Sequence, residues 1–500
     1  MAKAPVVIGI DASTTAVKAI AWDASGNALS EGRASLALEN PEPDGWEQDA
    51  ESWWAATLAA TRDAAQALPG DAEARALCVS HQRETFVLTD ESGVPLHPAL
   101  VWMDARCRSQ VIEFTEQLSA TRIHELSGKP PCVTPSLYKL GFLLAKNPSL
   151  RARRPRLLDV HGFLVWRLTG RFATSLASAD PLGLVDMRAR RWSPELAALV
   201  GLEADQLPDL VEPGAVIGAL GTEAARACGL PSGLPVVAGA GDGQAAGLGA
   251  GIVEPGRAYL NLGTAVVSGV LSNDYRIDAA FRTLYAGAPG TYFLETDLKG
   301  GTFILSWLAE RLVGRPLAEL EVEAAAIAPG AEGLLLVPYW NGVMNPYWDD
   351  DASGITVGWH GGHGPAHLYR AAIEGIALEQ HLHTSAVEAA SGPITELVVM
   401  GGGSRSDLWC RVLADVTEKR ITRARTSEAT ALGAGVLAAV AANLHPSLRQ
   451  AVSAMTATAQ SFEPGAHRSF YKRLFSEVYR ELYPALQKPL SALARLRRNG

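Results

Sequence analysis

Cysteine is scarce. The 500 residues hold five, Cys78, Cys107, Cys132, Cys228 and Cys410, scattered and odd in number, with no CxxC pair. That excludes a disulfide-stapled fold and offers no zinc or redox motif, so the five read as reduced thiols. Long hydrophobic runs are also missing: the longest uncharged apolar stretch, 429–444, falls short of the roughly 20 residues that cross a bilayer. The opening MAKAPVVIGI enters a strand-like run without the apolar core and small-residue cleavage site of a secretory signal, so the mature chain is expected to start there, in the cytoplasm. Charge is sparse too, at 19% against 48% hydrophobic residues, a balance too apolar for a disordered chain. The 44 basic and 53 acidic side chains leave a net charge of -9, which argues against a general affinity for nucleic acid or anionic membrane. Any phosphate must then be held locally. The basic run Arg151 to Arg156 and the tail around Arg495 to Arg498 read as solvated helix faces and ends.

What is present is alternation. Short β-branched runs (VVIGI, ARALCVS, LPVVAGA, AYLNLG, LLLVPYW, ELVVMGG) alternate with Ala/Leu-rich helical patterns, the rhythm of an α/β protein. The length suits about three domains, or two large ones. Punctuation at Glu254-Pro255-Gly256, after the glycine-rich 239–251, divides the chain into 1–252 and 253–500. Each part opens alike: VVIGIDASTTAVKAIAWDASGN and RAYLNLGTAVVSGVLSND both read strand, tight hydroxyl-bearing turn, strand, polar turn. A duplicated core would set these turns across a cleft.

In the first turn Asp11 ends a strand and is followed by Ser13, Thr14, Thr15 and Lys18. Such a nest can hold phosphate oxygens, with Asp11 near a phosphate-bound magnesium; read alone, it is more simply a hairpin whose Asp and Ser satisfy turn amides. The second turn, Asn261, Gly263 and Thr264, lets a phosphate approach bare backbone. No GxxxxGK[ST] occurs, which disfavours a P-loop enzyme. Gly401, Gly402 and Gly403, followed by Ser404, fail as a dinucleotide fingerprint, because the third glycine of GxGxxG falls at Ser406; contact with adenosine is the preferred reading and a plain glycine turn the bland one. Asp242, in VVAGAGDGQAAGLGAG, ends an apolar strand, where a carboxylate can take the proton of an attacking hydroxyl or cap the helix that follows. SHQRETF supplies Arg83 and Glu84, and VWMDARC supplies Trp102 and Asp104, a polar set with an aromatic wall that suits a polyhydroxylated ligand, although an isolated Arg/Glu pair is more simply a surface ion pair. His360, His363 and His367 sit in a Gly/Pro-rich stretch that reads as a solvent loop rather than a metal site.

Together, in order, GIDASTTAVKA, DGWEQDAESWW, SHQRETF, ALVWMDAR, LTGRFATSLASAD, GAGDGQAAGLGAG, LNLGTA, PYWDDDASG, VVMGGGSRSDLW and EATALGAG resemble the FGGY carbohydrate kinases, the group with glycerol kinase and xylulokinase, across nearly the whole chain. The resemblance implies an α/β protein of two ribonuclease-H-like domains (the actin/hexokinase/Hsp70 superfamily) flanking a central cleft. It implies ATP and Mg2+, with Asp11 on the metal through water. Asp242 becomes the general base, Ser13, Thr14, Thr15, Lys18, Gly263 and Thr264 the phosphate contacts, and Gly402, Gly403 and Ser404 the adenosine border. Arg83, Glu84, Trp102, Asp104, Thr134, Asp242 and Gly243 become the sugar contacts. The implied partner is a small sugar or polyol, with neither nucleic acid nor membrane, and a homodimer is compatible. Arg83-Glu84 and PYWD resemble glycerol kinase. Gly243, in place of that group's glutamine, and Thr134, in place of its substrate-packing tyrosine, imply a roomier pocket and a ketopentose such as xylulose, against glycerol or a tetritol. Phe142 stands where the family's first signature has tryptophan. The rival from another class is a non-metabolic actin-like or chaperone-like ATPase, or a sugar-binding regulator, which has no use for a base at Asp242.

Overall fold

The structure, a computed structural model, describes residues 3–499. The first sheet grows from β1 (Ala4–Ala12), β2 (Ala16–Trp22), β3 (Ala28–Ser35), β4 (Ala72–His81), β5 (Val216–Ala219) and β6 (Pro235–Val237), in the spatial order β5-β6-β4-β1-β2-β3. β1, β2 and β3 form an antiparallel meander, and β4 and then β6 add in parallel to β1. β1 is apolar and buried from Val6 to Ile10 because both faces of the sheet are covered there. On one face lies α1 (Ala50–Gln66), started by Asp49, whose side chain accepts the Glu51 amide, and packed through Trp53, Ala56, Ala60 and Ala64.

The second sheet repeats the plan. It contains β7 (Arg257–Leu262), β8 (Val266–Ser272), β9 (Arg282–Tyr285), β10 (Tyr292–Leu298), β11 (Glu396–Met400), β12 (Arg420–Ala424) and β13 (Thr458–Phe462), ordered β9-β10-β8-β7-β11-β12-β13. Again a meander, β10-β8-β7, is followed by two parallel strands, β11 and β12. The hairpin that the sequence shows twice therefore opens two copies of one topology, as in ribonuclease-H-like domains.

The copies are joined by two small-residue helices, α2 (Asp242–Gly249) and α5 (Ala429–Ala441); between them in sequence lie α3 (Pro365–Ser391) and α4 (Asp407–Thr417), which cover the second sheet. α5 follows β12 yet packs on the first sheet, against Val7, Cys78 and Val237. α2 follows β6 yet its Gly247 meets Tyr259 and Phe293 of the second sheet. Where the two helices cross, a Cβ on Gly249 would lie 1.9 Å from the Ala429 carbonyl, and one on Gly433 1.9 Å from that of Ala245. Backbone contact this close needs glycine. An all-apolar helix such as ATALGAGVLAAVA is stable only when buried all round, and the crossing supplies that burial.

Between β4 and β5 the chain leaves the sheet. Phe86, Leu100, Tyr138, Leu140, Leu157 and Leu196 centre a separate apolar cluster there, built on a small four-stranded sheet and holding Trp102, Asp104 and Thr134 near its edge. Arg151 to Arg154 are exposed, as are Arg495 and Arg497 at the end of the last helix. His360 and His363 lie on an outer turn in which the Nδ1 atoms of His360, His363 and His367 accept the amides of Gly362, His360 and Gly364. No helix among the described residues is long and apolar enough to cross a membrane.

Candidate active site

The β1–β2 turn is closed by the amide and hydroxyl of Ser13, both donating to the Ala16 carbonyl at 3.0 and 2.8 Å. Thr14 is clamped from two sides: Gln48 Nε2 donates to its carbonyl at 2.7 Å and Trp102 Nε1 to its hydroxyl at 2.9 Å. The β7–β8 turn is held similarly, with the Gly301 and Thr302 amides donating to the carbonyls of Thr264 and Gly263. Gly401 and Gly403 lie so close to this turn that a Cβ on either would press on Asn261 or Leu262, whereas Gly402 faces open space. Ser404 donates its hydroxyl to the Gly401 carbonyl at 2.7 Å.

Asp242 is the first residue of α2. Its Oδ1 accepts the Gly243 amide at 2.8 Å and lies 2.8 Å from Arg83 Nε. The latter is a charge contact rather than an aligned bond, since the Nε–H has no hydrogen-bond partner among the described residues. With 42% of the Asp242 side chain exposed, a ligand can reach it. Asp11, at the end of β1, is half-buried, and its Oδ1, shielded from solvent, has no hydrogen-bond partner among the described residues. Burial first, then the charges of Asp242 and Glu428, outweigh Lys18 and push its carboxyl up to about 7. Lys18, opposite Asp11 in the hairpin register, pairs with Glu428 at 2.6 Å, just before α5.

Arg83 and Glu84 follow β4 and are buried. Their charges meet the second sheet. Arg83 Nη1 donates to both oxygens of Glu295 on β10, at 2.9 and 2.8 Å. Arg282 on β9 donates to Glu84 at 2.9 Å and approaches Glu295 at 2.7 Å. Tyr259 of β7 donates to Glu295 at 2.6 Å. Burial alone would raise the Glu295 carboxyl, but Arg83 and Arg282 hold it at about 2. Trp102, 40% exposed, joins this set through Thr85, whose hydroxyl accepts the Trp102 amide and donates to the Arg83 carbonyl. Asp104 is fully buried and committed elsewhere, to the Trp46 amide and to Arg106. Thr134 is half-buried, and its carbonyl accepts the buried Lys139 ammonium.

Residues 6–249 match the FGGY family of carbohydrate kinases, N-terminal domain, and residues 258–442 its C-terminal domain. The chain belongs to the FGGY family of carbohydrate kinases. It is 30% identical to a xylulose kinase from Escherichia coli, over 96% of this chain and 99% of the relative. It is 31% identical to a glycerol kinase from Thermococcus onnurineus, over 89% and 90%. The solved structure of a xylulose kinase from Rhodospirillum rubrum superposes with a TM-score of 0.89 at 26% identity, covering 97% of this chain and 99% of that one. As an FGGY carbohydrate kinase the chain is an ATP-dependent phosphotransferase, which removes the polymer, chaperone and regulator alternatives.

Within this FGGY kinase, Asp242, Gly243, Arg83 and Glu84 come together, and Trp102 touches the first turn. Asp104 lies behind them on Arg106. The room expected at Gly243 is not open: a Cβ there would lie 2.8 Å from Glu295 Oε2 and 3.0 Å from the Arg83 guanidinium carbon. Sequence reasoning missed Glu295, Arg282 and Tyr259, which sit on ordinary-looking strands with no motif around them. It also passed over Gln48, although DGWEQD was in view. That buried amide accepts Trp53 Nε1 and Gln82 Nε2 while donating to Thr14 and Ala37, so it ties the first turn to the strand end that carries Arg83.

Proposed function

We propose that this kinase transfers the γ-phosphate of ATP to a hydroxyl of a ketopentose such as xylulose, in the cytoplasm, with residues 1–252 supplying the sugar site and first phosphate turn, and 253–500 the second turn and the adenosine border. The observation that carries the reading is Asp242, fixed at Oδ1 by the Gly243 amide and Arg83 yet reachable by a ligand. In this role Asp242 accepts the sugar hydroxyl proton as that oxygen bonds to the γ-phosphorus and ADP departs with the electrons of the broken bond. Backbone amides around Ser13 to Thr15 and Gly263-Thr264, with Lys18, would receive the phosphates; Gly402, open to solvent, with Gly403 and Ser404 would border adenosine. Arg83, Glu84, Trp102 and Thr134 would line the sugar, with Asp104 bracing that wall through Arg106.

The residues present also fit a divalent cation. Asp11 holds a buried, unpartnered oxygen opposed by two other carboxylates, a cost that a cation bound through water would relieve. When bound, Mg2+ supplies charge neutralisation of the phosphates.

A ketopentose is supported by the full-length likeness to xylulose kinase and by the short side chain of Thr134. Glycerol or a tetritol is the second reading, favoured by Arg83-Glu84 and the comparable likeness to glycerol kinase. A coupled ADP-release screen over xylulose, ribulose, erythritol and glycerol tests the choice. Highest kcat/KM on xylulose or ribulose is expected; highest on glycerol or erythritol refutes the ketopentose.

A further inference from the structure

We infer that Glu295 is a positioning residue for the base: a carboxylate from the second sheet that aims Arg83 at Asp242, so that the base is set only when the two halves of the chain meet. This rests on the reading of Asp242 given above.

Three observations carry it. Glu295 grips Arg83 Nη1 with both oxygens and is itself held by Tyr259 at 2.6 Å and Arg282 Nε at 2.8 Å. A carboxylate with that many donors has one position. Next, the grip turns the guanidinium so that Nε lies 2.8 Å from Asp242 Oδ1 while its N–H takes no hydrogen-bond partner. Arg83 therefore fixes the Asp242 carboxylate by charge without donating a proton into the lone pair that the base must use. Without Glu295, the guanidinium would turn to Asp242, its remaining close counter-ion, in a donating geometry that opposes proton acceptance. Finally, residue 243 is glycine where any Cβ would intrude on Glu295 Oε2 and Arg83 together. The vacant side-chain position on α2 is filled by Glu295 from the other half of the molecule together with the Arg83 guanidinium it grips.

Asp242 and Arg83 belong to the first sheet's half, whereas Glu295, Arg282 and Tyr259 lie on β10, β9 and β7. Separating the halves removes Glu295 from Arg83 and leaves the base unaimed. Coupling of this kind limits transfer to water before the cleft is assembled.

The test is a double-mutant cycle in steady-state kinetics on the full chain, with Glu295→Gln and Asp242→Asn singly and together. Glu295→Gln is expected to lower kcat by about tenfold or more with KM for ATP within about twofold of wild type, and to add nothing in the Asp242→Asn background. Loss by the same factor in both backgrounds, or a wild-type kcat, overturns the inference. Should Glu295→Gln fail to fold, Gly243→Ala keeps every charge and pushes on the same two groups; it is expected to lower kcat in the same non-additive way, and normal turnover in it overturns the inference. A fully active Asp242→Asn sinks the base assignment and this inference with it, whereas an inactive Asp242→Asn beside a normal Glu295→Gln sinks this inference alone.

Discussion

Glu295 shows how much a residue owes to its partners. A carboxyl held at about 2 against its ordinary 4.5 binds its proton less tightly folded than unfolded. Its stabilising contribution is thus complete above pH 4.5 and is lost as pH falls toward 2. The full shift corresponds to about 3 kcal/mol. Wild type should therefore lose melting temperature more steeply than Glu295→Gln between pH 5 and pH 3, read by circular dichroism; parallel slopes contradict this. Gln48 makes the complementary case for a neutral group. Gln48→Ala strands the Trp53 indole N–H and the Thr14 carbonyl and frees the β1–β2 turn, so it should cost about 2–4 kcal/mol by the usual cost of buried unpaired groups and, on the proposed phosphate role of that turn, raise KM for ATP. A stable variant with unchanged KM would show that the turn needs no such tie.

Among the elements, the strands and the two hairpin turns were legible because their signals are local: β-branched runs, a hydroxyl turn, a glycine ending a strand. The destination of α5 was not. Its small, apolar sequence announces burial but not against which sheet, and it crosses to the first sheet while α2 crosses to the second. The insertion between β4 and β5 also escaped, since its short strands and helices carry no signal that they form a core of their own. Likewise the Arg83–Glu295 and Arg282–Glu84 pairs join residues about two hundred positions apart, and no spacing rule reaches that far. The helix crossing is testable. Gly433→Ala puts a methyl group against the Ala245 carbonyl and should destabilise by about 2–3 kcal/mol, as overpacking does. Gly70→Ala, in open space, should stay within about 0.5 kcal/mol of wild type. Equal denaturant midpoints for the two variants would refute the tight crossing.

At the scale of the whole molecule, one topology used twice accounts for the site. Each copy ends its first strand at a tight hairpin turn, and the two helices that trade places between the copies bring α2, with Asp242 at its tip, against the second sheet. The resemblance carried by the motifs identified the family, while the room expected at Gly243 is taken by Arg83 and by Glu295, the latter from the other copy and beyond the reach of any local signal. The central claim is that Asp242 serves the chemistry and not the binding of nucleotide. Turnover and ATP affinity measured side by side on Asp242→Asn test it most directly: kcat on the preferred sugar should fall at least about 100-fold, the low end for losing a general base, with the calorimetric Kd for ATP changed by less than about threefold, and undiminished turnover in this variant would contradict the account.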